Sequence, residues 1–168
     1  NELNRWLVRR RSILIADSKT FGPLSDGIVI INYDVLQRHE AEIRGTEWDL
    51  LVCDEAHFCK NPKARRTRMV FGQECSAKER ANGAAPIPGI TAKKKLLLTG
   101  TPIANKPVEL WPLIHYLDPI TWSNFFRFAI RYCAAYEGSH GWDFSGASNL
   151  GELQEKLRST ILVRRLKK

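Results

Sequence analysis

The chain has 168 residues, 43% of them hydrophobic, which suffices for one buried core, so a single domain is expected. A formal net charge of +8 and a pI near 9.5 favour an anionic partner such as nucleic acid, the plainer alternative being a solvated Lys/Arg-rich surface. No apolar run approaches the length of a bilayer and no secretory signal opens the chain, so no membrane contact and an intracellular location, bacterial cytoplasm or eukaryotic nucleus, are expected.

Residues 1–11 set Leu3, Trp6 and Leu7 at helical spacing among Arg5, Arg9, Arg10 and Arg11, the pattern of the end of a surface helix. The first residue is Asn1 rather than Met, as expected of a piece of something longer. Ile13-Leu14-Ile15 reads as a short strand, and residues 17–26 hold turn formers with a Gly22-Pro23 pair. Gly27-Ile28-Val29-Ile30-Ile31-Asn32-Tyr33 is continuous and β-branched, which predicts a strand buried on both faces. A helix is expected over residues 35–43, with Asp34 a candidate cap. Leu50-Leu51-Val52-Cys53 is a further apolar strand, and it ends in Asp54, Glu55 and His57. Residues 60–68 then carry five positive charges, Lys60, Lys63, Arg65, Arg66 and Arg68, in reach of phosphates or on a solvated helix face. Residues 73–92 are polar and then loop-forming throughout, as in a surface loop.

Lys93-Lys94-Lys95 leads into the strand Leu96-Leu97-Leu98, which ends in Thr99, Gly100 and Thr101. Pro107 suits the first turn of a helix whose buried face is Leu110, Trp111, Ile114 and Leu117, and Pro112 predicts a kink or a delayed start. Trp122, Phe125, Phe126, Ala129, Ile130 and Cys133 follow helical spacing with Ser123 as cap, a core stripe or docking face rather than a base-stacking platform. Residues 138–148 are glycine- and serine-rich, with Trp142 and Phe144 as anchors, and Asn149 is the expected cap of a last helix bearing Leu150, Leu153, Leu157 and Ile161. Cys53, Cys59, Cys75 and Cys133 lack the spacing of a zinc site and are expected to be reduced thiols.

The chemistry is expected at Asp54 and Glu55. Ligands in open α/β sheets bind at the carboxyl ends of strands. Two adjacent carboxylates there suit the two acidic tasks of P-loop nucleotidases, holding Mg²⁺ on the phosphates and orienting the attacking water. The competing reading is a strand that ends in a solvated acidic turn.

Residues 50–57, with Leu96-Leu97-Leu98-Thr99-Gly100-Thr101-Pro102-Ile103-Ala104-Asn105, resemble motifs II and III of the superfamily-two helicases. Thr-Gly-Thr-Pro followed by Glu109-Leu110-Trp111 resembles the Swi/Snf-type DNA translocases among them. Arg131-Tyr132-Cys133, Gly141-Trp142-Asp143 and residues 148–153 (Ser-Asn-Leu-Gly-Glu-Leu) are similar to the annealing-helicase, fork-remodelling branch. The resemblance covers nearly the whole chain. It implies an α/β fold with a mainly parallel sheet flanked by helices on both faces, part of a RecA-like P-loop NTPase lobe over residues 1–118. A C-terminal helical protrusion and the start of a linker would occupy residues 119–168.

The resemblance further implies ATP and Mg²⁺ as cofactors and DNA, duplex or branched, read without sequence preference, as partner. Asp54 would hold Mg²⁺ through water, Glu55 would orient or deprotonate the water, and His57, Thr99, Gly100 and Thr101 would relay the nucleotide state towards the DNA. Asn32, Tyr33, Lys60, Asn61, Arg65, Arg66 and Asn105 would face the nucleic acid, the alternative for the 32–34 turn being a plain strand-to-helix cap by Asp34. Part of residues 73–92 departs from the family and reads as an insertion. No Gly-x-x-x-x-Gly-Lys-[Ser/Thr] phosphate loop occurs, and a second RecA-like lobe, also an expected partner, would follow Lys168. The 168 residues alone are therefore expected neither to bind ATP tightly nor to hydrolyse it. A restriction-system motor and a non-hydrolysing DNA-binding or interaction module are the rival readings.

Overall fold

Runs of β-branched and leucine residues separated by helical segments favour parallel strand pairs with crossover connections, and the chain forms two of them. The computed structural model describes residues 2–20, 27–75, 77–100, 106–139 and 141–164. Strand β1 (Ile13–Ala16) pairs in parallel with β2 (Ile28–Ile31), placing Ile15 opposite Ile30. Strand β3 (Trp48–Cys53) pairs in parallel with a later strand, Ala92–Leu97, placing Val52 opposite Leu96.

Helix α1 (Leu3–Trp6) precedes these strands as a short surface turn with Trp6 exposed. The helix expected over residues 35–43 forms as a 3-10 turn, Leu36–His39, running into α2 (Glu40–Gly45). No side chain caps that turn, and Asp34 instead gives its amide to Asn32 Oδ1 at 3.2 Å. Between β3 and its partner lie α3 (Arg65–Phe71), β4 (Gly72–Gln73), α4 (Ala77–Ala81) and β5 (Ile87–Pro88). The partner strand is β6. Residues 73–92 are thus not loop throughout: β4 and β5 close the segment as an antiparallel ribbon. Gly72 permits this closure, because its φ of 86° is left-handed and a Cβ there would lie 2.5 Å from the Ile87 carbonyl oxygen.

The sheet core gathers Leu36, Ile43, Cys53, Ala56, Cys59, Met69, Val70, Ile90 and Leu113, with Leu51 and Leu97 packed against it. These come from the inward faces of β3 and β6, from α2, α3 and the helix after β6, from the 3-10 turns Leu36–His39 and Ala56–Cys59, and from Ile90 ahead of β6. The outward residues Leu50, Val52, Leu96 and Leu98 are exposed, as are Ile15 and Ile30 on the other pair. The strands are therefore not buried on both faces. The described helices cover one side of β3 and β6, and pleating sends alternate side chains to the other.

The second core is helical. After β6, a 3-10 turn, Pro107–Leu110, delivers α5 (Trp111–Leu117), with Pro112 in its first turn, so the helix starts late as expected. Helix α6 (Phe125–Tyr132), a hairpin of β7 (Tyr136–Gly138) with β8 (Gly141–Asp143), and α7 (Leu150–Thr160) follow. Leu110, Ile114, Trp122, Phe128, Ala129, Tyr132, Cys133, Leu153 and Leu157 form its interior. The α6 stripe is rotated from the expected one: Phe128 and Tyr132 go inward, while Phe126 and Ile130 are exposed. Asn124 rather than Ser123 caps the helix, accepting the Arg127 amide at 3.0 Å. Asn149 makes no cap bond to α7. With a left-handed φ of 48° it donates from Nδ2 to the Arg131 carbonyl at 2.7 Å.

Candidate functional site

The site grows from the end of β3. Cys53 is buried and anchors the strand, and the next two residues, Asp54 and Glu55, emerge into solvent. Glu55 is left-handed (φ 47°, ψ 48°), a conformation uncommon for a residue with a Cβ and costing on the order of 1 kcal/mol or more. It turns the chain from the strand into a 3-10 turn, Ala56–Cys59, whose Ala56 and Cys59 are fully buried. The Ala56 amide donates to the Leu98 carbonyl at 2.8 Å and the Leu98 amide to the Cys53 carbonyl at 2.8 Å. The acidic turn and the Thr99-Gly100 segment are therefore neighbours through the end of β6. Thr99 is half-buried and Gly100 exposed. Thr101 and Asn105 lie outside the described residues, as do Gly22, Pro23 and Lys168.

Within the turn, the Asp54 Oδ1 accepts the Glu55 amide at 3.0 Å. His57 Nδ1 stands 3.1 Å from Glu55 Oε2, near enough for an ion pair when the ring is protonated, although poorly directed for a hydrogen bond. The His57 ring also lies against Phe58, with centroids 4.5 Å apart. Glu55 and Asp54 remain accessible to a ligand from solvent.

Among the residues expected to face nucleic acid, Asn32, Lys60, Asn61, Arg65 and Arg66 are exposed. Lys60 Nζ donates to Glu109 Oε2 at 3.0 Å, tying the segment to the turn before α5. Asn61 accepts the Lys63 amide at 2.9 Å in a local turn. Arg65 opens α3, and Arg66 lies 3.9 Å from Asp34 and 6.0 Å from the Phe58 ring centroid. Tyr33 stands apart from this surface set. It is half-buried, and its hydroxyl donates to the Asp54 carbonyl oxygen at 2.9 Å. Burial, with the nearby Cys53 and Cys59 thiols, raises the Tyr33 hydroxyl far above the ordinary range, so it stays a protonated donor. Burial likewise pushes the Cys53 thiol up to about 11 and the Cys59 thiol up to about 12. Neither the Tyr33 contact nor the Lys60–Glu109 and Asp34–Arg66 pairs carries a signal in sequence spacing, because each joins distant segments. A cleft of about 550 Å³ at the carboxyl ends of β1 and β2 is lined by Asp17, Ser18, Asn32 and Tyr33 among others.

Among the described residues no group of three or more His, Cys, Asp or Glu side chains is arranged to hold a metal ion. A site for Mg²⁺ does not need one, since that ion keeps several waters and is held by one or two carboxylates together with substrate phosphates. Asp54, exposed at a strand end and with lone pairs beyond the one on the Glu55 amide, fits that kind of ligand.

Parallel strand pairs flanked by helices, with an acidic turn at one carboxyl end, define an α/β domain. A family profile described as SNF2-related domain matches residues 16–168. The chain belongs to the SNF2-related domain family. It is 38% identical over 166 residues, 98% of this chain and 16% of the relative, to the Xenopus laevis SWI/SNF-related matrix-associated actin-dependent regulator of chromatin subfamily A-like protein 1. The Bos taurus protein of that name is 37% identical over 86% of this chain and 14% of its own length. The Bos taurus DNA annealing helicase and endonuclease ZRANB3 is 31% identical over 99% of this chain and 15% of its own. The chain thus spans 14 to 16% of the length of these relatives. Among solved structures, the Sulfolobus solfataricus SWI2/SNF2 ATPase core in complex with dsDNA has the same fold, with a TM-score of 0.61 and 24% identity over 92% of this chain and 28% of that one.

Proposed function

We propose that this chain is part of the first RecA-like lobe of an ATP-driven DNA translocase of the annealing-helicase, fork-remodelling kind. Residues 1–118 would supply the carboxyl-proximal part of the lobe, and residues 119–168 a helical protrusion leading towards a second RecA-like lobe. The observation that carries the reading is the acidic turn. Asp54 and Glu55 emerge side by side at the carboxyl end of β3, and the turn is bound through Ala56 to the strand that carries Thr99 and Gly100.

ATP is the nucleotide in this reading, and Mg²⁺, when bound, neutralises charge on its phosphates. Asp54 would hold that ion. Glu55 orients the attacking water and takes its proton, a role that geometry at a solvent-facing strand end permits. His57, beside Glu55, and Thr99 with Gly100 and Thr101 relay the occupancy of the site to the DNA side. Asn32, Lys60, Asn61, Arg65, Arg66 and Asn105 face the phosphate backbone, so binding is insensitive to sequence and sensitive to salt. Support for DNA as partner comes from the relatives named annealing helicases and from the dsDNA in the solved SWI2/SNF2 core. Support for a larger lobe comes from the exposed apolar faces of β3 and β6, since parallel sheets are ordinarily covered on both sides.

The test is ATPase activity of the full-length protein with linear, single-stranded and forked DNA. Turnover stimulated most by forked DNA, with none from the isolated 168 residues, is the expected result. Absence of turnover on every DNA would leave a non-hydrolysing DNA-binding module, and robust turnover by the isolated chain would refute its dependence on the rest of the lobe.

A further inference from the structure

The peptide group between Asp54 and Glu55 is clamped at both ends. Its N–H is held by Asp54 Oδ1 at 3.0 Å, and its C=O accepts the Tyr33 hydroxyl at 2.9 Å. This one plane sets where both carboxylates stand: it carries the donor that fixes the Asp54 side chain, and it precedes the left-handed φ of Glu55. Releasing the carbonyl would let the plane rotate, and a strained residue gives way more readily than a relaxed one.

Tyr33 comes from a turn that is itself closed. The Val35 amide donates to the Asn32 carbonyl at 3.1 Å and the Asp34 amide to Asn32 Oδ1 at 3.2 Å. Asn32 and Asp34 are exposed on this turn, and Asp34 stands 3.9 Å from Arg66. Tyr33 thus joins the exposed turn, which Asp34 links to Arg66, to the Asp54 carbonyl. We propose that Tyr33 is a positioning residue rather than a nucleic-acid contact: its hydroxyl joins the exposed turn after β2 to the acidic turn, so that occupancy of the nucleic-acid face sets the geometry of Asp54 and Glu55. This inference rests on the motor reading above and names the regulation of that site.

Tyr33→Phe in the full-length protein removes the hydroxyl and keeps the ring. The readouts are kcat and KM for ATP at saturating DNA, and DNA Kd by fluorescence anisotropy, with kcat normalised to the nucleotide-binding fraction so that partial unfolding does not register. The expected result is a fall in kcat on the order of tenfold, as small misplacements of catalytic groups produce, with ATP KM and DNA Kd each within about twofold of wild type. A weakened DNA Kd with unchanged kcat would make Tyr33 a direct nucleic-acid contact and overturn the proposal. Three unchanged constants would overturn it too, while leaving the motor reading intact. A wild-type protein without DNA-stimulated ATPase would sink both.

Discussion

In the helical region Leu153, Cys133 and Ala129 are completely buried and Leu157 is 2% exposed, whereas along β3 and β6 Leu50, Val52 and Leu96 are 46 to 52% exposed. The helical region closes its core from nearby chain. Trp122, Phe128 and Tyr132 pack with ring centroids 5.4 to 6.3 Å apart, and α6 is fastened to α7 by Arg131 and Tyr132, both donating to Glu152. Among the described residues the sheet region closes one face only. The difference separates two ways of reaching burial: local packing of amphipathic helices, complete within about fifty residues, and a parallel sheet that needs a layer on each side. The acidic turn belongs to the half-covered region, where one side is fixed by Ala56 and Cys59 and the other is open to a ligand.

The comparison is broken or sharpened first by truncation of leucines. Leu153→Ala should destabilise the isolated chain by about 2–5 kcal/mol, the range for fully buried leucines. Leu96→Ala, at 46% exposure, should cost below about 1 kcal/mol there. In the full-length protein Leu96→Ala should rise to about 2 kcal/mol or more, if further chain covers β6. Urea denaturation of the two leucine variants checks this, and an equally small Leu96 effect in both settings would show that the outer sheet face stays bare.

A smaller effect follows from the thiols. Folded Cys53 and Cys59 are raised by burial to about 11 and about 12 from the ordinary 9.0, and Cys133 in the helical core to about 11. A raised folded value leaves stability intact below pH 9 and removes it as the pH climbs through the folded values, because the unfolded thiols ionise first. Urea midpoints should therefore hold from pH 7 to 9 and fall above it. Iodoacetamide at pH 8 should label the sheet thiols faster than Cys133 in the isolated chain, where the sheet core opens more easily.

Much of this was legible in the residues. The apolar runs announced β2, β3 and β6, because continuous β-branched and leucine segments have few other uses, and Pro112 correctly delayed α5. The pattern of Arg131, Tyr132 and Glu152 that resembled the fork-remodelling branch proves to be the staple between α6 and α7. Periodicity misjudged which face of α6 is buried, since Phe126 and Ile130 are as apolar as Phe128 and only the position of α5 and α7 decides among them. It also overstated burial of the strands, whose continuous apolar character describes a sheet with two covers and not the single cover that the described residues supply. At the site, the order Asp54-Glu55-Ala56-His57 was readable, but the left-handed Glu55 and the hydroxyl of Tyr33 beneath it were not. Both depend on how distant turns meet.

The most direct measurement is single-turnover ATP hydrolysis on forked DNA by the full-length protein, wild type beside Glu55→Gln, with DNA affinity recorded in parallel. Gln keeps the shape of the side chain and removes the base. Hydrolysis should fall by at least about 100-fold, within the range that general-base groups contribute, while DNA binding persists. Hydrolysis at the wild-type rate would contradict the placement of the chemistry at the end of β3.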